Sequence, residues 1–204
     1  MRNLITSLGL CVVAVAVPSL VSAQQATVAA AKTGGNEEST VKSSPRVIKP
    51  LFVKHVTIFS KRSFSEVQES LEKSVPQLDP TLIPALYNGD MERAREHEEK
   101  GPKLAIFSHR NHGALLAITG RKRNTIHYEI GNPVTASKMT RHNLGAALYA
   151  PLRVILREDE EGRGVFEYDL PSSFFGQFGD ERITTIGLQL DADLNAVLSN
   201  AAGI

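Results

Sequence analysis

Tryptophan is absent from this chain, and its single cysteine, Cys11, lies inside an apolar run near the N terminus. With that run removed no thiol remains, which excludes a disulfide framework, a thiol nucleophile and a cysteine-built metal site. Neither charge is in excess. The chain has 23 Lys and Arg against 22 Asp and Glu, and Arg2 is the only charged residue among the first 23. The remainder is therefore balanced at 22 against 22. Nucleic-acid binders draw affinity from many Lys and Arg contacts to phosphate, so this balance argues against that class and against a polybasic membrane-surface role. Also missing are a G-x-S-x-G elbow, a Walker loop, a dinucleotide glycine fingerprint and an H-E-x-x-H helix. No internal repeat is present, and 204 residues leave room for one domain plus a leader.

Residues 1–23 read as a secretory signal. Arg2 supplies the positive start, Leu4 to Val17 is almost wholly apolar, and Val21-Ser22-Ala23 is a small-residue cleavage site. The alternative, an uncleaved anchor, is opposed by the shortness of the run. Residues 24–47 are rich in Gln, Ala, Thr, Gly, Ser and Lys without periodicity and read as a flexible linker. The expected domain is 48–204, in a protein secreted to a bacterial periplasm or the cell exterior. No stable membrane span is expected after cleavage.

Within the domain, Leu51 to Phe59 reads as a first strand. Ser63 and Glu66 have capping-box spacing at the start of a helix carrying Phe64, Val67 and Leu71, with Pro76 beyond its end. Pro80 and Pro84 predict a loop from which Tyr87 packs back onto the core. Asp90 to Lys100 predicts a short solvated helix stopped by Gly101. Lys103 to His109 is a second strand. Ile126, Tyr128 and Ile130 mark the buried face of a third, and Leu152, Val154 and Leu156 that of a fourth. An acidic turn, Glu158 to Gly164, leads into a fifth, Val165 to Leu170. Between the third and fourth, Asn132 caps a short helix begun by Pro133. Asp180 caps the last helix, whose stripe is Ile183, Ile186, Leu190, Leu194 and Val197. The expected fold is α+β, in the order β-α-β-β-β-β-α, with one antiparallel-rich sheet and two main helices on one face. Phe107 and Ile155 then fall on the opposite face, which would suit a second copy or a ligand.

Few side chains suggest chemistry. His112, near the strand end, either hydrogen-bonds the backbone there or serves as a general base or ligand contact. Pairing it with His109 at a metal is opposed by their spacing of three, which on a strand sends them to opposite faces; no metal site is expected. Asn132 caps its helix, or its amide lines a pocket. Tyr168 shares a face with Phe166, so its ring packs in the core or its hydroxyl enters a pocket. Tyr149 and Pro151 set the entry of the fourth strand.

The run His112, Gly131-Asn132-Pro133, Met139, Ala150-Pro151-Leu152, Glu158 to Gly162 and Tyr168 to Pro171 resembles the domain-of-unknown-function family 302 across about residues 50–202. Two departures are Ala150-Pro151, where many members read Leu-Pro, and the Pro-broken insertion Gln77 to Lys100. The resemblance implies an α+β fold similar to the TATA-binding-protein type, often dimeric, and no established reaction. The expectation is a small-ligand-binding or accessory module, a homodimer without a cofactor, whose ligand site gathers His112, Asn132, Tyr149 and Tyr168. One alternative is an enzyme using His112 as acid/base with Tyr168 assisting. Another is a purely structural dimerising envelope module.

Overall fold

The buried side of each strand is written in its alternation, and the sheet follows from it. The computed structural model describes residues 46–204. The expected signal segment, and all but the end of the expected linker, lie outside the described residues. Five strands, β1 (His55–Ser63), β2 (Ala105–Asn111), β3 (Thr125–Gly131), β4 (Leu152–Glu158) and β5 (Arg163–Asp169), form one sheet in the order β1-β5-β4-β3-β2. Every neighbouring pair is antiparallel. Ile126, Tyr128 and Ile130 of β3 lie beside Leu156, Val154 and Leu152 of β4, and all six are buried. Phe166 and Tyr168 of β5 continue the same face.

Helices α1 (Phe64–Ser74) and α7 (Glu181–Ala202) cover that face. The α1 start has the expected reciprocal cap: the Ser63 hydroxyl accepts from the Glu66 backbone N–H, and the Glu66 carboxylate accepts from the Ser63 backbone N–H. Phe64, Val67 and Leu71 point inward. On α7, Ile183, Leu190, Leu194 and Leu198 are buried, while Ile186 and Val197 pack at the edge of the core. The Ser60 hydroxyl donates to the Ala202 carbonyl at 2.7 Å, tying β1 to the end of α7.

Five shorter helices complete the unit Ile48–Ile204: α2 (Leu82–Tyr87), α3 (Met91–Lys100), α4 (His112–Leu115), α5 (Pro133–Thr140) and α6 (Pro171–Phe175). Among the described residues no helix is long and apolar enough to cross a membrane.

Three local expectations are corrected. The first strand begins at His55, because β5 ends opposite it at Asp169; Leu51, Phe52 and Val53 have no strand to pair with and are exposed. The segment around Pro84 is helical, since Pro84 is the third residue of α2, where its missing N–H has no intrahelical carbonyl to meet. Tyr87 is 85% exposed rather than packed on the core.

The outer sheet face also differs from its expected apolar character. Its rows are dominated by charge partners: Arg157 with Glu167, Arg110 with Glu129, and His55 with Asp169. Ile155 is half-buried among them, beside His127 and Glu167. Phe107 is the extra residue of a bulge, where β2 pairs Ile106 with Ile130 and Ser108 with Glu129.

Helix α1 comes close to the sheet at Gly164, where a Cβ would lie 2.7 Å from Val67 Cγ2. Gly164→Ala is expected to destabilise the protein by about 1–3 kcal/mol through overpacking. In a Val67→Ala background the same change should cost much less. Denaturant unfolding of both single variants and the double variant checks this; strictly additive losses would refute the shared contact.

Candidate functional site

A strand that runs into Gly131-Asn132-Pro133 has to turn sharply, and Asn132 organises the turn. Its Oδ1 accepts from the backbone N–H groups of Val134 and Thr135, at 2.9 and 3.1 Å, capping α5. Its Nδ2 donates to the Pro102 carbonyl at 3.1 Å. One side chain thus joins the start of α5 to the segment between α3 and β2. Pro133 occupies the first turn of α5, where no backbone donor is lost.

Two cavities flank this corner, and Asn132, Thr135 and Leu190 line both. The first, of about 350 Å³, is an apolar groove. Phe107, Met139, Pro151 and Phe175 contribute to its wall, and Ala136, Ala147 and the exposed Tyr87 stand along it. Gly131 also lines it, and a Cβ there would make ordinary contact with Pro151 and Phe107, at 3.5 and 3.6 Å. The Ala150–Pro151 peptide bond is cis. The second cavity, of about 430 Å³, lies between α3, α5 and α7 and mixes apolar and charged side chains. Lys103, Asp193, Lys138 and Glu98 line it together with His97.

His97 is half-buried, and its Nε2 atom is covered from solvent and makes no hydrogen bond. Burial is the main cause holding its pKa below the ordinary value, Arg93 lowers it further, and Asp79 opposes. The ring packs on Gly101, where a Cβ would lie 2.6 Å from Nδ1.

The four sequence-predicted residues do not share one site. Asn132 caps and lines both cavities, as just described. Tyr149 is half-buried and stacks on Phe174 at 4.9 Å between ring centres, with Phe175 and Phe178 at its edges. Tyr168 is buried on the helix-covered face, and burial, followed by the charge of Asp191, pushes its pKa up. His112 is exposed at the start of α4. Its ring meets that of His127 edge-on at 6.0 Å, and His127 belongs to the outer face opposite Ile155. The register places Asn111, just before His112, across from Ile126, whereas Asn132 follows the other end of β3. Seven residue steps from Thr125 to Asn132 span about 23 Å at ~3.3 Å each. His112 is therefore remote from Asn132 and across the sheet from Tyr168.

His109 lies near Tyr128, at 5.9 Å between ring centres, and not with His112. Among the described residues no group of three His, Cys, Asp or Glu side chains is arranged to hold a metal ion. Sequence reading passed over His97, Lys103, Lys138 and Asp193, because they come together from separate elements. The one local signal was Gly101, four residues after His97 and too close to its ring to bear a side chain.

Comparison with known proteins follows the same outline. The family model described as "Domain of unknown function DUF302" matches residues 90–201. No curated protein matches. Among solved structures, the "Crystal structure of uncharacterized conserved protein DUF302 from Bacillus stearothermophilus" is similar over 72% of this chain and 97% of that chain, with a TM-score of 0.53 and 17% identity. At that identity the likeness shows the fold alone.

The lowered pKa of the half-buried His97 carries a pH signature. As pH falls through the ordinary value of 6.5, the unfolded chain takes up a proton before the folded one does. Stability is therefore full above that pH and falls toward the lower folded value. His127, lowered chiefly by burial, adds in the same window. His97→Leu is expected to flatten part of the decline in Tm between about pH 7 and pH 5. A variant profile parallel to that of the parent would show that His97 is not buried in its neutral form.

Proposed function

The chain belongs to the DUF302 family, whose domain is of unknown function, and from that premise we propose that it is an exported, single-domain small-ligand-binding module. The apolar groove beside Asn132 is its binding site. What carries the reading is the shape and chemistry of that groove. It has about 350 Å³ of room, within the range of small-molecule sites, a mainly apolar wall and few polar groups. A ligand of this chemistry is small and largely apolar, with one polar group at the Asn132 end. Export rests on the leader features of residues 1–23, and a homodimer on the family resemblance. Neither the acid/base enzyme built on His112 nor the purely structural module has an observation of comparable weight behind it.

Anilinonaphthalene sulfonate is a suitable probe of the groove. Its fluorescence is expected to rise on the parent protein. Ala147→Trp, at an exposed position on the groove, and Ala136→Phe should each weaken the response about tenfold while leaving Tm near that of the parent. Undiminished probe binding in both filled variants would remove the groove from consideration.

A further inference from the structure

The cavity on the other side of Asn132 has a charge arrangement of its own. Lys103 Nζ lies 3.0 Å from Asp193 Oδ1, joining the segment before β2 to α7. Lys138 Nζ pairs with Glu98, joining α5 to α3. Two ammonium groups and two carboxylates therefore line the cavity and cancel. His97 adds no charge near neutral pH, because burial holds it in the neutral form. The pairs are open to solvent: the side chains of Lys103, Lys138 and Glu98 are 77%, 43% and 49% exposed, and only Asp193, at 16%, is largely covered. Exposed pairs of this kind are weakly held and readily exchange partners. Between them, the Thr135 hydroxyl and the Gln189 amide carry no hydrogen bond among the described residues and are free to make one.

We infer that this cavity binds a compact zwitterion, a molecule of amino-acid size carrying one ammonium and one carboxylate group. The argument is one of partner exchange. A zwitterion that enters gives its carboxylate to a lysine and its ammonium to the carboxylate that lysine releases. Every charge in the cavity keeps an opposite neighbour. A simple anion takes a lysine and strands Glu98 or Asp193; a simple cation takes a carboxylate and strands Lys138 or Lys103. Asp193 is the one charge largely covered from water, so stranding it is unfavourable, and a ligand bearing both signs keeps it paired and makes two charge contacts where a singly charged one makes one. Asn132 is already committed to Val134, Thr135 and Pro102, so it holds the wall in place and leaves recognition to the two pairs. This site is separate from the apolar groove and does not depend on the reading of that groove.

Titration calorimetry at neutral pH with L-alanine, propionate and propylamine tests the inference on the intact protein. L-alanine should bind at least about tenfold more tightly than either singly charged analogue. Lys138→Met and Asp193→Asn should each weaken it about tenfold. The double variant Glu98→Gln/Lys138→Met, which keeps the net charge, should weaken it as much while retaining the parent Tm, so that loss of binding is not loss of fold. Ala147→Trp in the groove should leave L-alanine binding unchanged, which separates this site from the other. Propionate or propylamine binding as tightly as L-alanine, no L-alanine binding at all, or L-alanine affinity unaltered in folded Lys138→Met and Asp193→Asn would each overturn it.

Discussion

Both cavities depend on the side chain of Asn132. Three hydrogen bonds use its amide almost fully: two orphan donors of α5 are satisfied by the oxygen, and the Pro102 carbonyl by the nitrogen. A buried or half-buried backbone group left without a partner is costly, so the corner is held by need rather than by shape. Because the same residue reaches both α5 and the approach to β2, the space on each side of it has a fixed boundary. A serine in its place could accept from α5 but has no amide to offer Pro102, so the link between the two segments would be lost.

Much of the frame was legible because it is periodic. Alternation in β3 and β4 identified six of the buried sheet residues, and Phe166 with Tyr168 identified two more. The Ser63–Glu66 cap and the α7 stripe are local patterns whose physics lies within four residues of chain. What escaped is set by partners distant in sequence. The start of β1 is decided by where β5 stops, and nothing within Leu51-Phe52-Val53 records that. Pro84 reads as a breaker until its place in the first turn of α2 is known.

The candidate site was less legible for the same reason. Asn132 was found, because capping is local. His112 and Tyr168 are near each other in neither sense that matters, since one stands at the outer face and the other beneath the helices. A strand-by-strand list of attractive side chains carries no information about which end or face of a sheet each will occupy until the register is known. Lys138 and Glu98, forty positions apart, become neighbours only because α5 folds back beside α3.

The outer sheet face shows how neighbouring charges alter a reading made from hydrophobicity alone. Ile155 in isolation suggests an apolar surface in want of a cover. In the sheet it is flanked by Glu167 and His127, with the Arg157–Glu167 and Arg110–Glu129 pairs on either side. Cross-strand ion pairs shield the aliphatic carbons between them and leave a face that water can wet. The consequence reaches the functional argument. A sheet face already satisfied by its own charges makes little demand for a small apolar ligand, whereas the groove at the sheet's end presents Phe107, Met139 and Pro151 with few polar groups to satisfy. The apolar surface in want of a cover is therefore concentrated where the strands stop and Asn132 turns the chain.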